Sequence, residues 1–174
     1  YGRRFAPGTH WDTWVKYPFQ PGYSHVGVVE AAGAGVTELK AGDRVASTHT
    51  HGQYVGGAAG SFYKIPDGVS DRDAAWLTLA YIVQNGVRCA QHELGQDVVV
   101  VGLGPLGQLA VQFVKNLGAR VIVAVDPVAF RLEMAKANGA THTLSLGVDE
   151  AQAAVKELTQ GRMADAVYDM TGND

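Results

Sequence analysis

Gly102, Gly104 and Gly107 punctuate the run VVVVGLGPLGQLAVQF, which starts at Val98. Glycines at that spacing, after an apolar strand and at the mouth of a helix, can take up a diphosphate. Each has its own task. Gly102 permits a tight turn, Gly104 lets backbone approach phosphate oxygens, and Gly107 lets the helix pack against the strand. Leu103, Pro105 and Leu106 complete the loop. Pro105 suits a first helical turn, where its missing N–H would have had no partner. The helix start then offers unpaired N–H groups and a positive dipole end to an anion.

Asp126 ends the next apolar run, VIVAV, about 20 residues beyond the loop. A carboxylate there can accept hydrogen bonds from both hydroxyls of an adenosine ribose and repel a 2′-phosphate, which favours NAD(H) over NADP(H). The plainer alternative is that Asp126, which precedes Pro127, caps a helix. Arg131 can reach a 2′-phosphate, cover an adenosine or lie solvated. His49 and His51 are two apart, so on a strand they share a face. With His10 or His25 they offer the donors of a metal site, although paired histidines in a polar loop are more often surface or hydrogen-bonded residues.

The elements that must position these groups change character near residue 75. Before it, short apolar runs are broken by Gly, Pro, Asp or His at VGVVEAAGAGV, GDRV, QYVGG and SFYKIPDGV. That spacing predicts a piece of a β-sandwich or barrel. Gly33-Ala34-Gly35 lacks a third glycine and a following helix, and predicts a hairpin turn. A helix capped by Ser70 or Asp71 runs on through Leu79, with helical patterning resuming to about Gln91. Strands are then expected at 98–101, 121–125, 141–146 and 165–169, alternating with helices at 105–116, 128–138 and 150–159. Such an order predicts an α/β fold with a parallel, doubly wound sheet.

Composition narrows the partners. The formal net charge is −3, and Arg3-Arg4 is the only adjacent basic pair, so nucleic acid is not expected. No apolar run approaches the roughly 18 to 20 residues of a membrane span. The single cysteine, Cys89, excludes an internal disulfide framework and a Cys-rich zinc site, fits a cytoplasmic protein, and reads as a buried small side chain. Trp11, Trp14 and Trp76 read as packing residues. The chain opens YGRRF without Met, which suggests a fragment of a longer protein.

In order, the segments PGYSHVGVV, AGDRV, KIPDGVS and VVVVGLGPLG, followed by Asp126, resemble the medium-chain dehydrogenase/reductase superfamily, the alcohol-dehydrogenase-like proteins. The resemblance implies a GroES-like β-rich domain over residues 1–76 and the first half of a Rossmann NAD(P)-binding domain over 77–174. It further implies a small-molecule substrate and a homodimer or homotetramer in the full-length form. Zinc-dependent members carry G-H-E-x-x-G where this chain has Gly22-Tyr23-Ser24, so Tyr23 stands at the histidine ligand's position. Pro7 stands where one cysteine ligand is expected, and the other falls near Leu77. None of the three supplies a zinc donor, so no zinc is expected.

Resemblance to the zinc-free branch implies hydride transfer to or from an alcohol or activated carbonyl, quinone- or enone-like. Tyr23 and His51 are then the best-placed proton donors by homologous position, the plainer reading of both being structural. Leu106 is expected under the nicotinamide, Tyr81 near the ring or in the core, and Thr171-Gly172 in the loop past the adenine ribose. Two alternatives stand beside this reading: a non-catalytic dinucleotide-binding protein, and a zinc-dependent alcohol dehydrogenase with relocated histidine ligands.

Overall fold

The computed structural model describes residues 7–9, 12, 14–145 and 147–172. Arg3, Arg4, His10, Trp11 and Leu146, to which the sequence reading assigns roles, lie outside the described residues. The chain divides into two compact units, Tyr1–Thr78 and Leu79–Asp174.

The first unit carries an antiparallel sheet of β1 (His25–Val28), β2 (Arg44–Ser47) and β3 (Phe62–Lys64), in that order. Gly33–Val36 does form a turn, closed by Val36 N–H donating to Gly33 O at 3.0 Å. It is not the hairpin turn that the sequence suggested. It lies within a longer β1–β2 connection that is closed next to the strands, where Val29 N–H donates to Asp43 O and Gly42 N–H to Val29 O. The QYVGG run is not a strand either. With Gly52, Gly56 and Gly57 around Val55, it has few side chains to pack on a pleated surface. α1 (Asp71–Ala74) is short and capped by Ser70, whose hydroxyl accepts from Asp73 N–H. Helix resumes as α2 (Leu77–Cys89), which runs on into the second unit.

The second unit alternates β4 (Asp97–Val101), α3 (Pro105–Asn116), β5 (Val121–Val125), α4 (Ala129–Asn138), β6 (His142–Leu144), α5 (Val148–Leu158) and β7 (Ala166–Asp169). All neighbouring strands pair in parallel, in the order β6-β5-β4-β7. This is the expected α/β arrangement. The period-2 alternation of the strands feeds two cores. Val98, Val100, Ile122 and Ala124 pack with residues of α2, α3 and α4, whereas Val99, Val121, Val123 and Val125 pack with Ala151 and Val155 of α5. Burying each such valine contributes about 2 kcal/mol. Helices therefore cover both faces, and the winding reverses between β4 and β7. Ligands in open α/β sheets sit outside the carboxyl ends of the strands at such a reversal.

Three packing expectations are corrected. Cys89 is exposed: the buried stripe of α2 is Val83 and Val87, and Cys89 lies past it at the helix end. Trp14 and Trp76 are also exposed, Trp14 with its ring against the edge of Phe19. Tyr81 is exposed and so is not a core residue. Among the described residues, no helix is long and apolar enough to cross a membrane.

Candidate functional site

The glycine loop occupies the carboxyl end of β4. Gly102 adopts φ +84°, and a Cβ there would lie 2.9 Å from Met170 C and Thr171 N, so only glycine combines this turn with so close a neighbour. A Cβ on Gly107 would run into the Gly102 carbonyl oxygen. Around Gly104, by contrast, the Cβ direction is open, and no side chain caps the start of α3. Pro105 is the first residue of that helix. Uncapped first-turn N–H groups beside open space, at the positive end of a helix, suit an anion. The loop thus fits the diphosphate of a dinucleotide on its own geometry.

Leu103 behaves differently from its neighbours. Its side chain is 1% exposed in the core, and its peptide groups turn inward. Leu103 N–H donates to Asp126 Oδ2 at 2.8 Å, and Leu103 O accepts from Gln108 Nε2 at 3.2 Å. Leu106 packs against the same core from a partly exposed position.

Asp126 lies just beyond β5 and is only 3% exposed. Oδ1 accepts from Val128 N–H at 2.8 Å, an Asx-type bond leading into α4, and Arg131 Nη1 stands 3.4 Å from Oδ2. The helix-cap alternative is therefore partly realised, although Val128 rather than Asp126 is the N-cap. Burial pushes the carboxyl up, but the Leu103 and Val128 N–H groups and the Arg131 guanidinium outweigh it and hold the group below the ordinary carboxylate range. Asp126 is a buried anion hooked onto the glycine loop, with the half-exposed Arg131 against it.

At the end of β7, Asp169 Oδ1 accepts from Thr171 N–H at 2.9 Å and from its hydroxyl at 2.7 Å. These two bonds hold the Asp169 carboxyl below its usual value. They also shape the Thr171-Gly172 loop whose backbone touches Gly102. Sequence reasoning missed Asp169 and Gln108. Asp-x-Thr after a strand is an Asx-turn pattern, and a lone glutamine on the buried stripe of α3 is a polar residue in need of a partner.

In the first unit, His51 N–H donates to Pro21 O at 3.0 Å, and the ring lies where a Cβ on Gly22 would meet it at 2.5–2.7 Å. His51 is thereby packed beside the residue that precedes Tyr23. Tyr23 is half exposed, and its carbonyl accepts from the Thr78 hydroxyl at 2.6 Å. The two proton-donor candidates thus belong to adjoining backbone. The other histidines go elsewhere: His25 Nε2 lies 3.3 Å from Gly52 O, and His49 stacks on Phe62 at 4.8 Å. Among the described residues no group of three His, Cys, Asp or Glu side chains is placed to hold a metal ion. Pro7 has no donor atom to give a metal, and neither does Leu77, near which the resemblance puts the other cysteine position.

Residues 105–174 match a family model described as zinc-binding dehydrogenase, and residues 4–69 match the alcohol dehydrogenase GroES-like domain. The D-guloside 3-dehydrogenase of Escherichia coli strain K12 is 36% identical over 158 residues, covering 88% of this chain and 45% of that protein. A quinone oxidoreductase of Pseudomonas syringae superposes with a TM-score of 0.74 at 31% identity, covering 94% of this chain and 53% of the other. A mycobacterial protein solved in complex with NADPH gives a TM-score of 0.73 at 30% identity, across 88% of this chain and 51% of its own. The chain spans about half the length of the curated relatives it matches.

Proposed function

This chain belongs to the medium-chain dehydrogenase/reductase superfamily of alcohol-dehydrogenase-like proteins, and from that premise we propose that the complete protein is a cytoplasmic, NAD(H)-dependent oxidoreductase. It moves hydride to or from an alcohol or an activated carbonyl, without catalytic zinc. The observation that carries this reading is the pairing of an open, uncapped helix start at Gly104 with the buried anion of Asp126. Gly104, Leu106 and Gly107 would meet the diphosphate through their N–H groups. The charge of Asp126 disfavours a 2′-phosphate, and a ribose hydroxyl gains its carboxylate once the half-exposed Arg131 moves aside. Thr171 and Gly172 border the same loop. The nicotinamide cofactor supplies or accepts the hydride when bound.

Tyr23 and His51 supply the proton that accompanies hydride transfer. Support comes from their adjoining backbone and from the expected zinc-ligand positions, which hold Pro7 and Tyr23 and, near Leu77, no cysteine. The relatives point to two substrate classes: a guloside dehydrogenase suggests a hydroxyl on a polyol or sugar, and a quinone oxidoreductase suggests a conjugated carbonyl.

The test is a fluorescence titration of the complete protein with NADH and NADPH, then a screen of alcohols, enones and quinones, with elemental analysis for zinc. Saturable NADH binding, turnover of one class and no stoichiometric zinc support the reading. Binding without turnover would favour a non-catalytic dinucleotide-binding protein.

A further inference from the structure

Resting on the dinucleotide reading above, we infer that Gln108 is a positioning residue: it aims the Gly104 N–H at the diphosphate and so sets cofactor affinity. Gln108 is 8% exposed and every bonding group of its amide is used. Nε2 donates to Leu103 O at 3.2 Å and to Arg131 O at 2.9 Å, while Oε1 accepts from Asn138 Nδ2 at 2.9 Å. Two backbone carbonyls can only accept, so the nitrogen must face them and the amide has one orientation. The strut joins the glycine loop to both ends of α4.

The consequence follows from the planarity of the peptide. Leu103 C=O and Gly104 N–H belong to one peptide unit, and in a trans peptide the two point in opposite directions. By fixing the carbonyl inward, Gln108 sends the Gly104 N–H outward. Asp126 fixes the preceding peptide in the opposite sense, holding Leu103 N–H inward and leaving the Gly102 carbonyl to face Gly107. The Cβ direction at Gly104 is open as well, so no side chain or backbone crowds that flank of the residue. A donor that is already oriented costs no reorganisation when the anion arrives. Without the strut, the Leu103 carbonyl is a buried acceptor with no partner, and the 103–104 peptide is free to turn.

The experiment compares the complete protein with its Gln108→Met variant, which keeps the side chain's length and removes its donors and acceptor. NADH and ADP, which both carry a diphosphate, are titrated against each protein, and steady-state kinetics give cofactor KM and kcat. The expected result is a rise of about tenfold in both dissociation constants and in cofactor KM, with kcat at saturating cofactor unchanged. A purely structural glutamine would lower Tm and leave cofactor KM alone, and affinities within twofold of wild type overturn the inference. If Gln108→Met does not fold, Asn138→Leu replaces it. That change leaves the donors but frees the amide, so a rise of about threefold supports the inference and no change overturns it. Should the unaltered protein bind neither NADH nor ADP, the dinucleotide reading fails and this inference with it. That outcome is distinct from a wild type that binds and a variant that binds equally well.

Discussion

The two units place their candidate groups by different means. In the second, the loop that would hold a cofactor hangs on backbone: Gly102 against Met170 and Thr171, Gly107 under Gly102, Leu103 clamped between Asp126 and Gln108. In the first, Tyr23, Tyr54 and Tyr63 are exposed, and β1 and β3 border an open groove of about 890 Å³ lined by residues such as Val28, Val55 and Phe62. Its candidate donors stand on loops that a few long-range bonds hold, such as Thr78 to Tyr23 and His51 to Pro21. On the function proposed above, binding geometry would be built into main chain where rigid strands end, and chemical specificity left to side chains on loops. The two should therefore respond differently to substitution.

The largest effect is expected at Gly107→Ala. The added methyl meets backbone, which cannot swing aside as a flexible side chain would, so the loss is about 3 kcal/mol in urea denaturation together with NADH affinity. A variant of near wild-type stability and affinity would break the contrast between the units.

Tyr23→Phe should do the opposite. With only the hydroxyl removed from a half-exposed ring, stability and NADH affinity stay put while kcat falls by about a hundredfold. Equal losses in kcat and cofactor affinity would mean that Tyr23 is structural.

The next effect is in pH. The folded Asp126 carboxyl titrates below its unfolded value of about 3.9, so the unfolded chain binds more protons across that interval. Its stabilising contribution is complete above the unfolded value and is lost as pH falls through the lower folded value. Asp43, held down by the Lys64 ammonium and Lys40 N–H, and Asp169 act with the same sign. Asp126→Asn should therefore flatten, without abolishing, the acid limb of a plot of urea midpoint against pH.

The smallest effect is expected at Gly33→Ala in the first unit. Nothing lies within 4 Å of its Cβ position, and stability should change by less than about 0.5 kcal/mol.

How much of this was legible in the sequence follows the same division. The limits of α3 and β5, and the places of Gly102, Gly104 and Gly107, could be read because valine runs, Pro105 and the glycines each have a local physical meaning. β7 and its Asx turn were half legible: the strand was, while the bond from Thr171 to Asp169 was not sought. Asp126 was placed correctly at the end of β5, but not its burial, because that depends on the Leu103 N–H 23 residues away. In the first unit, QYVGG and Gly33–Gly35 were misread because short glycine-rich runs carry strand and turn signals alike. The exposure of Cys89, Trp14 and Tyr81 was hidden for a further reason: residue type alone does not say which face of a short or terminal turn meets the core.

The most direct test of the central claim is a crystal structure of the complete protein with NAD(H). The account predicts a diphosphate within hydrogen-bond distance of the Gly104 and Leu106 N–H groups, with the adenosine ribose beside Asp126 and Arg131. A dinucleotide bound elsewhere, or a loop left untouched at saturating cofactor, would contradict it.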